Sequence, residues 1–297
     1  MTTYRVDDAE FAGLSGRTVL LTGCATGIGR AAAVLAHKNG ANLILGDWAE
    51  KEGQALQAEL KELGFPSPPF FHCPPRGNTD VSSWPDLLAL FEAGWDKFGS
   101  VDVVLANAGI NEVGDMFEDG YDEGTGKLKP PVLQTLDVNL TGVIYSAKLA
   151  LHYFAKQPGK KCQLVFTGSA ACFLDTPPLW VYEASKAGVM GLMRSLRTQL
   201  VKRYNVTVNM VAPWMTKTPM LKDEFRSVWG ELPANEPIGV ARALLLPAIR
   251  QDLNGKSFFV AGHEIVDFEE GLEKTQPQWM GEQLSRDVDE GQRRIVP

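Results

Sequence analysis

The sequence predicts an α/β fold, a doubly wound sheet of about seven parallel strands forming a single domain. Three observations carry that expectation. Short apolar runs recur along the 297 residues, separated by longer segments with helical spacing. No repeat or low-complexity tract interrupts the alternation. A glycine-rich turn, TGCATGIG, joins the first apolar run to the first helical segment.

The elements follow in order. RTVLLT (17–22) has the continuous apolar character of a strand covered on both faces. GIGRAAAVLAHKNG (27–40) is a helix stopped by Gly40. ANLILGD (41–47) is a second strand, 49–63 a helix, and PFFHC (69–73) a third strand. SSWPDLLALFEAGWDKFG (82–99) is a helix with Ser82 as its N-cap. VDVVLANAG (101–109) is a fourth strand. The polar, Gly- and Pro-rich stretch 111–131 is a loop, and 132–157 a long helix. QLVFTGS (163–169) is a fifth strand, followed by a helix carrying WVYEASKAGVMG (180–191). VTVNMVAP (206–213) and KSFFVAG (256–262) complete the set of seven. Residues 1–265 form the domain. Residues 266–297, with Trp279 and a short helix near 279–291, are an extension that serves as a lid or an interface.

Composition removes several function classes. The net charge is -7 and no Lys/Arg cluster appears, which argues against nucleic-acid binding. The four cysteines, Cys24, Cys73, Cys162 and Cys172, form no CxxC, and the four histidines are scattered. No metal site is expected. Unpaired cysteines suit reduced thiols in the cytoplasm. The first residues carry charges instead of an apolar run, and no stretch approaches 18 apolar residues, so neither a leader nor a membrane span is expected.

The glycine turn points to a ligand. Gly23, Gly27 and Gly29, with Thr26 and Ile28 between them, lie where a strand passes into a helix. Glycines there let the backbone approach a pyrophosphate, which the helix N-terminus favours. Asp47 ends the second strand, 18 residues past Gly29. A carboxylate there accepts hydrogen bonds from a ribose diol and repels a 2′-phosphate, which favours NAD over NADP. Trp48, the next residue, brings no compensating cation. The competing reading of Asp47 is a solvated loop acid. Tyr182 and Lys186 are four apart and share one helical face. An isolated pair of this kind is an exposed tyrosine beside a solvated lysine, so its meaning depends on the rest.

Taken together, the motifs resemble those of the short-chain dehydrogenase/reductase family, with its Rossmann-like fold. Gly23 to Gly29 matches the family's TGxxxGxG turn. Ala106-Asn107-Ala108-Gly109 matches its NNAG stretch, with Ala in place of the first Asn. Asn139 in LDVNLTG, Ser169, and the Tyr182–Lys186 pair match its catalytic tetrad, with Ser169 thirteen residues before Tyr182. The resemblance covers about residues 14–265 and is strongest toward 15-hydroxyprostaglandin dehydrogenase-like and fungal alcohol-oxidising members. One departure is Trp214, which follows Pro213 where the family has glycine.

The resemblance implies roles. Tyr182 exchanges a proton with the substrate oxygen and Ser169 positions that oxygen. Lys186 binds the nicotinamide ribose and, together with the positive nicotinamide of the oxidised cofactor, lowers the Tyr182 pKa. Asn139 holds a water linking Lys186 to solvent. Asp80 and Val81 contact adenine, although Asp80 also suits an ordinary helix start. Asn107, Ala108 and Gly109 lie under the cofactor, and Pro213, Met215, Thr216 and Thr218 lie near the carboxamide. Phe173, Leu174, Pro177, Trp180, Trp214, Met215 and Met220 are candidate substrate contacts, each equally compatible with loop packing. They suggest a large apolar or aromatic alcohol. The expected activity is NAD-dependent interconversion of a secondary alcohol and a ketone, in the oxidising direction, in fungal secondary metabolism. The alternatives are an NADP-dependent carbonyl reductase and a catalytically silent dinucleotide-binding protein. The expected assembly is a homodimer or homotetramer formed through the helices around 132–157 and 182–204.

Overall fold

The central strands are apolar along their whole length because both of their faces are covered. Thr18–Thr22 is buried at every residue, as are Val103–Ala106, Cys162–Thr167 and Val206–Pro213. This is the pattern of a parallel sheet packed on two sides by helices. The computed structural model describes residues 2–64, 69–72, 78–221 and 228–295. Cys73 and part of the third predicted strand lie outside them.

In chain order the strands are β1 (Thr3–Tyr4), β2 (Thr18–Thr22), β3 (Asn42–Gly46), β4 (Phe70–Phe71), β5 (Val103–Ala106), β6 (Cys162–Thr167), β7 (Val206–Pro213), β8 (Ser257–Ala261) and β9 (Glu264–Asp267). Among the described residues they form one nine-stranded sheet in the order β1-β9-β8-β7-β6-β5-β2-β3-β4. The strands from β2 to β8 are parallel where they pair. These are the seven predicted. The sequence reading missed β1 and β9, which add antiparallel strands at one edge. The turn between β8 and β9 is Gly262-His263, both at positive φ (56° and 70°), the geometry of a tight two-residue hairpin. Strand order reverses between β2 and β5, and a cleft opens beyond the carboxyl ends of the strands at such a switch point.

The helices are α1 (Gly27–Lys38), α2 (Glu50–Glu62) and α3 (Trp84–Phe98). A composite α4 follows, made of a first turn Gln134–Leu136, a π segment Asp137–Thr141 and an α segment Gly142–Ala155. Then come α5 (Trp180–Tyr204), α6 (Pro237–Ile249), α7 (Phe268–Met280) and α8 (Glu282–Ile295). One face of the sheet packs against Ala32, Ala33 and Ala36 of α1, Leu56 of α2, and Leu244 and Leu245 of α6. The other packs against Phe91 of α3, Tyr153 and Phe154 of α4, and Val189 and Met193 of α5. Met193 is therefore core.

Three element boundaries differ from expectation. The N-cap of α3 is Ser83, whose hydroxyl accepts from the Asp86 N–H. Ser82 is diverted, because its own N–H and hydroxyl both donate to the Asp80 carboxylate. β9 runs on to Asp267, two residues past the expected end of the sheet region. The extension holds two helices in place of one short one, broken at Gly281 (φ 87°), with Pro277 accommodated inside α7. The extension leans on α5: Glu269 pairs with Arg194 and Arg197 and accepts from Ser257. Phe268 stacks on Phe173 with ring centroids 3.9 Å apart.

Candidate active site

The first half of the site is built by backbone. Gly23 and Gly27 adopt φ of 69° and 55°, which favours glycine. A Cβ on Gly23 would stand 2.7 Å from the Ala108 Cα, and one on Gly29 only 1.9 Å from the Gly23 carbonyl oxygen. Any side chain at these positions would force the turn apart. Thr26, at the N-cap of α1, makes no side-chain capping bond. The first N–H groups of α1 are therefore free of a side-chain acceptor, at the positive end of the helix. The Asp47 carboxylate is held in place just past β3. One oxygen accepts from the Ala25 N–H at 2.7 Å and the other from the Ala49 N–H at 2.8 Å. Each oxygen keeps a second lone pair for a hydroxyl. Trp48 beside it is 64% exposed.

Asn107 serves mainly as a brace. Its amide donates to the carbonyls of Thr22 and Gly23, and its oxygen accepts from the Thr167 hydroxyl. It ties the ends of β2, β5 and β6 into one platform. Ala108 and Gly109 continue from it along the wall of the cleft.

The second half carries the titratable groups. Tyr182 and Lys186 lie on one face of α5, and the Lys186 ammonium is 5.6 Å from the centre of the Tyr182 ring. Lys186 is 4% exposed and donates to the Thr167 carbonyl at 3.0 Å. Burial pulls its pKa down to about 8. Burial also dominates at Tyr182 and raises its pKa, while the neighbouring Ser169 hydroxyl acts in the opposite direction. The expected lowering also calls on the positive charge of an oxidised nicotinamide, which is no part of this balance. In the protein itself the desolvation of both groups wins, and each is pushed toward its neutral form. Ser169 caps the short 3-10 turn Ala170–Cys172, accepting from the Ala171 N–H at 3.2 Å. Asn139 is fully buried in the π segment of α4. Its oxygen accepts from the Ile110 N–H at 2.8 Å, and its amide donates to the Ile110 carbonyl and the Ser185 hydroxyl. Gly109 separates Asn139 from Lys186: a Cβ there would lie 3.2 Å from the Asn139 oxygen and 3.4 Å from the lysine nitrogen.

Both halves open into one cavity of about 840 Å³. Gly23, Thr26, Ile28, Asp47, Asp80 and Val81 line it, as do Ser169, Tyr182, Lys186, Pro213, Thr216 and Thr218. Trp214, Met215, Met220 and Pro177 line it as well. Asn139 stands behind the wall. Three predicted substrate contacts do not reach the cavity. Phe173 is turned away by its stack on Phe268. Leu174 is exposed. Trp180 packs edge-on against Phe117 of the 111–131 loop at 5.0 Å. Among the described residues, none of the tail lines the cavity.

The sequence reading missed Trp229, whose ring meets that of Trp214 at 4.6 Å and lines the cavity with it. It also missed Asn111, Gln134, Asp137 and Asp175 on the wall. None stands at a motif spacing, and only the folded loops bring them inward. Among the described residues no group of three His, Cys, Asp or Glu is placed to hold a metal. No helix among them is long and apolar enough to cross a membrane.

The donor set fits a nicotinamide dinucleotide. Glycines cradle the backbone approach, an uncapped helix N-terminus suits a diphosphate, and a fixed carboxylate suits a ribose. Comparison with known proteins agrees. A family model described as short chain dehydrogenase matches residues 17–229. The short-chain dehydrogenase/reductase prx4 of Penicillium roqueforti is 32% identical over 95% of this chain and 85% of its own. The 5′-hydroxyaverantin dehydrogenase of Dothistroma septosporum is 31% identical over 93% of this chain and 94% of its own. Among solved structures, a 3-ketoacyl-(acyl-carrier-protein) reductase from Brucella melitensis complexed with NADH superposes with a TM-score of 0.70. It is 23% identical and covers 84% of this chain and 98% of its own. A short chain dehydrogenase from Burkholderia cenocepacia in complex with NADP does so with a TM-score of 0.69 at 24% identity, over 84% and 98%.

Proposed function

Because this chain belongs to the short-chain dehydrogenase family and is an NAD(P)-dependent oxidoreductase acting on CH–OH groups, we propose that it uses NAD and interconverts a bulky, aromatic secondary alcohol with its ketone. The observation that carries this reading is that Tyr182, Ser169 and Lys186 line the same cavity as the glycine turn and Asp47.

When bound, a nicotinamide dinucleotide supplies the hydride acceptor or donor and, when oxidised, a positive charge. The turn from Gly23 to Gly29 and the N-terminus of α1 hold its diphosphate, and Asp47 its adenosine ribose. Lys186 holds the second ribose. Ser169 donates a hydrogen bond to the substrate oxygen and fixes it beside the Tyr182 hydroxyl. As a neutral phenol Tyr182 gives its proton to the developing alkoxide, and as a phenolate it takes the alcohol proton. Its raised pKa favours the donor form until a positive charge enters the cleft.

Asp47 supports NAD. Arg30, in the first turn of the glycine-turn helix, is paired at the surface with Glu59. The NADP reading draws on relatives named NADP-dependent dehydrogenases, such as one from a Phoma species that is 34% identical over 70% of this chain. Titrating both oxidised cofactors decides between them. Tighter binding of NAD, narrowed by Asp47→Ala, is the expected result, and equal or tighter NADP binding overturns the choice.

The substrate class draws on Trp214, Trp229, Met215, Met220 and Pro177, which give the outer cavity flat aromatic and flexible apolar walls. Two relatives are named 5′-hydroxyaverantin dehydrogenase, which agrees with a role in fungal secondary metabolism. A panel of small and polycyclic secondary alcohols tests this, and higher kcat/KM on the small ones would overturn it. We also propose a homodimer or homotetramer through α4 and α5, where Ile144, Val201 and Tyr204 remain exposed. Sedimentation of a monomer alone at micromolar concentration would refute that.

A further inference from the structure

The helix that carries Tyr182 begins without a cap of its own. Leu179, its N-cap residue, has no side chain able to accept, and its first N–H groups need partners. The Glu183 N–H is satisfied by the Leu179 carbonyl at 2.8 Å. Two of the others are met from outside the helix by one carboxylate. Glu112 accepts from the Val181 N–H at 3.2 Å through one oxygen and from the Tyr182 N–H at 2.7 Å through the other. The second bond is made to the backbone of Tyr182 itself.

Glu112 is in turn anchored on its far side. The segment from Ile110 to Val113 is strapped to α4 by four bonds. Asn139 accepts from the Ile110 N–H and donates to the Ile110 carbonyl, at 2.8 and 3.0 Å. Thr135, fully buried, accepts from the Val113 N–H and donates to the Asn111 carbonyl, both at 3.1 Å. Five residues further along the loop, Phe117 packs edge-on against Trp180, the first residue of α5. The loop therefore grips the first turn of α5 at two points, and the stronger grip runs from α4 through a charged group. A carboxylate at a helix N-terminus also complements the helix dipole.

We propose that Glu112 is a positioning residue for the Tyr182 hydroxyl: it fixes the first turn of α5 relative to α4, and so sets where the phenol stands against Ser169. The assignment rests on the dehydrogenase reading for its kinetic consequence, but the clamp itself does not. A neutral amide keeps one acceptor oxygen and loses the other, so Glu112→Gln retains one of the two bonds. Glu112→Ala loses both.

The test compares wild type, Glu112→Ala, Glu112→Gln and the control Glu118→Ala, an exposed position on the same loop. Steady-state kinetics are measured with NAD and an alcohol that wild type oxidises, alongside NAD affinity. The expected result for Glu112→Ala is a kcat lower by on the order of 10- to 100-fold with cofactor affinity within about twofold. Glu112→Gln should recover part of the loss, and Glu118→Ala should match wild type. A kcat within about twofold of wild type in Glu112→Ala, or equal losses in kcat and cofactor affinity, would overturn the positioning role. Hydrogen exchange across residues 179–186 is read in parallel and needs no turnover. The expected result is exchange about tenfold faster in Glu112→Ala, and intermediate in Glu112→Gln. Unchanged protection would overturn the clamp even if wild type oxidised no alcohol. Faster exchange in a protein without turnover would keep the clamp and sink the functional reading alone.

Discussion

Replacing Lys186 by methionine should make the protein more stable at neutral pH while destroying its activity. Lys186 is 4% exposed, and its pKa falls from 10.5 to about 8 because burial disfavours the ammonium. A drop of that size corresponds to about 3 kcal/mol of folding stability lost at pH values where the free side chain would be charged. Methionine has similar length and needs no solvation. It loses the bond from the ammonium to the Thr167 carbonyl, and an unsatisfied carbonyl costs about 1–2 kcal/mol. The net expectation is a gain of about 1–2 kcal/mol at pH 7, which for a chain of this size means a rise of about 2–3 °C in Tm.

The pH dependence identifies the cause. Between pH 8 and 10.5 the unfolded lysine binds more protons than the folded one, so wild-type stability from this group rises with pH through that window. Below pH 8 the cost is fully present, and above 10.5 it has gone. The advantage of Lys186→Met should therefore be constant from pH 6 to about 8, shrink toward 10.5 and then reverse. Urea unfolding of both proteins at pH 6.5, 8 and 10 measures it, with NAD binding and turnover assayed on the same samples. A variant less stable than wild type at pH 6.5, or a difference that ignores pH, would refute the reasoning. A stabilising substitution that removes function is what a strained catalytic position should show.

Other expectations follow from the same geometry. Tyr182→Phe should lower kcat by about 10²–10⁴-fold with NAD affinity nearly unchanged, because only the proton carrier is removed; retention of most activity would contradict its role. Gly29→Ala should abolish cofactor binding, since its Cβ would lie 1.9 Å from the Gly23 carbonyl oxygen; calorimetry showing wild-type affinity would exclude a tight turn. Trp214→Ala should raise KM for polycyclic alcohols far more than for small ones, as it opens the wall shared with Trp229. An equal rise for both would leave Trp214 only its packing role.

The sequence by itself determined the parallel sheet, the glycine turn, the acidic residue after β3 and the order of Asn139, Ser169, Tyr182 and Lys186. The sheet, the turn and the Tyr182–Lys186 pair depend on chain-local physics: continuous apolar runs, glycine's access to positive φ, and a four-residue spacing on one helical face; Asn139 and Ser169 were legible only through resemblance to the family. Tertiary structure alone decided the rest. Whether Phe173 faced a substrate depended on where Phe268, 95 positions later, would stack. Whether Ser82 or Ser83 capped α3 depended on which hydroxyl Asp80 captured. Lys186 and Tyr182 were legible as a pair, but the sign of the phenol's shift was not, because burial is a property of everything packed around them. Glu112 carried no signal in the sequence at all. It is an ordinary loop glutamate until α4 and α5 close on it, and only then does its carboxylate find the Val181 and Tyr182 N–H groups.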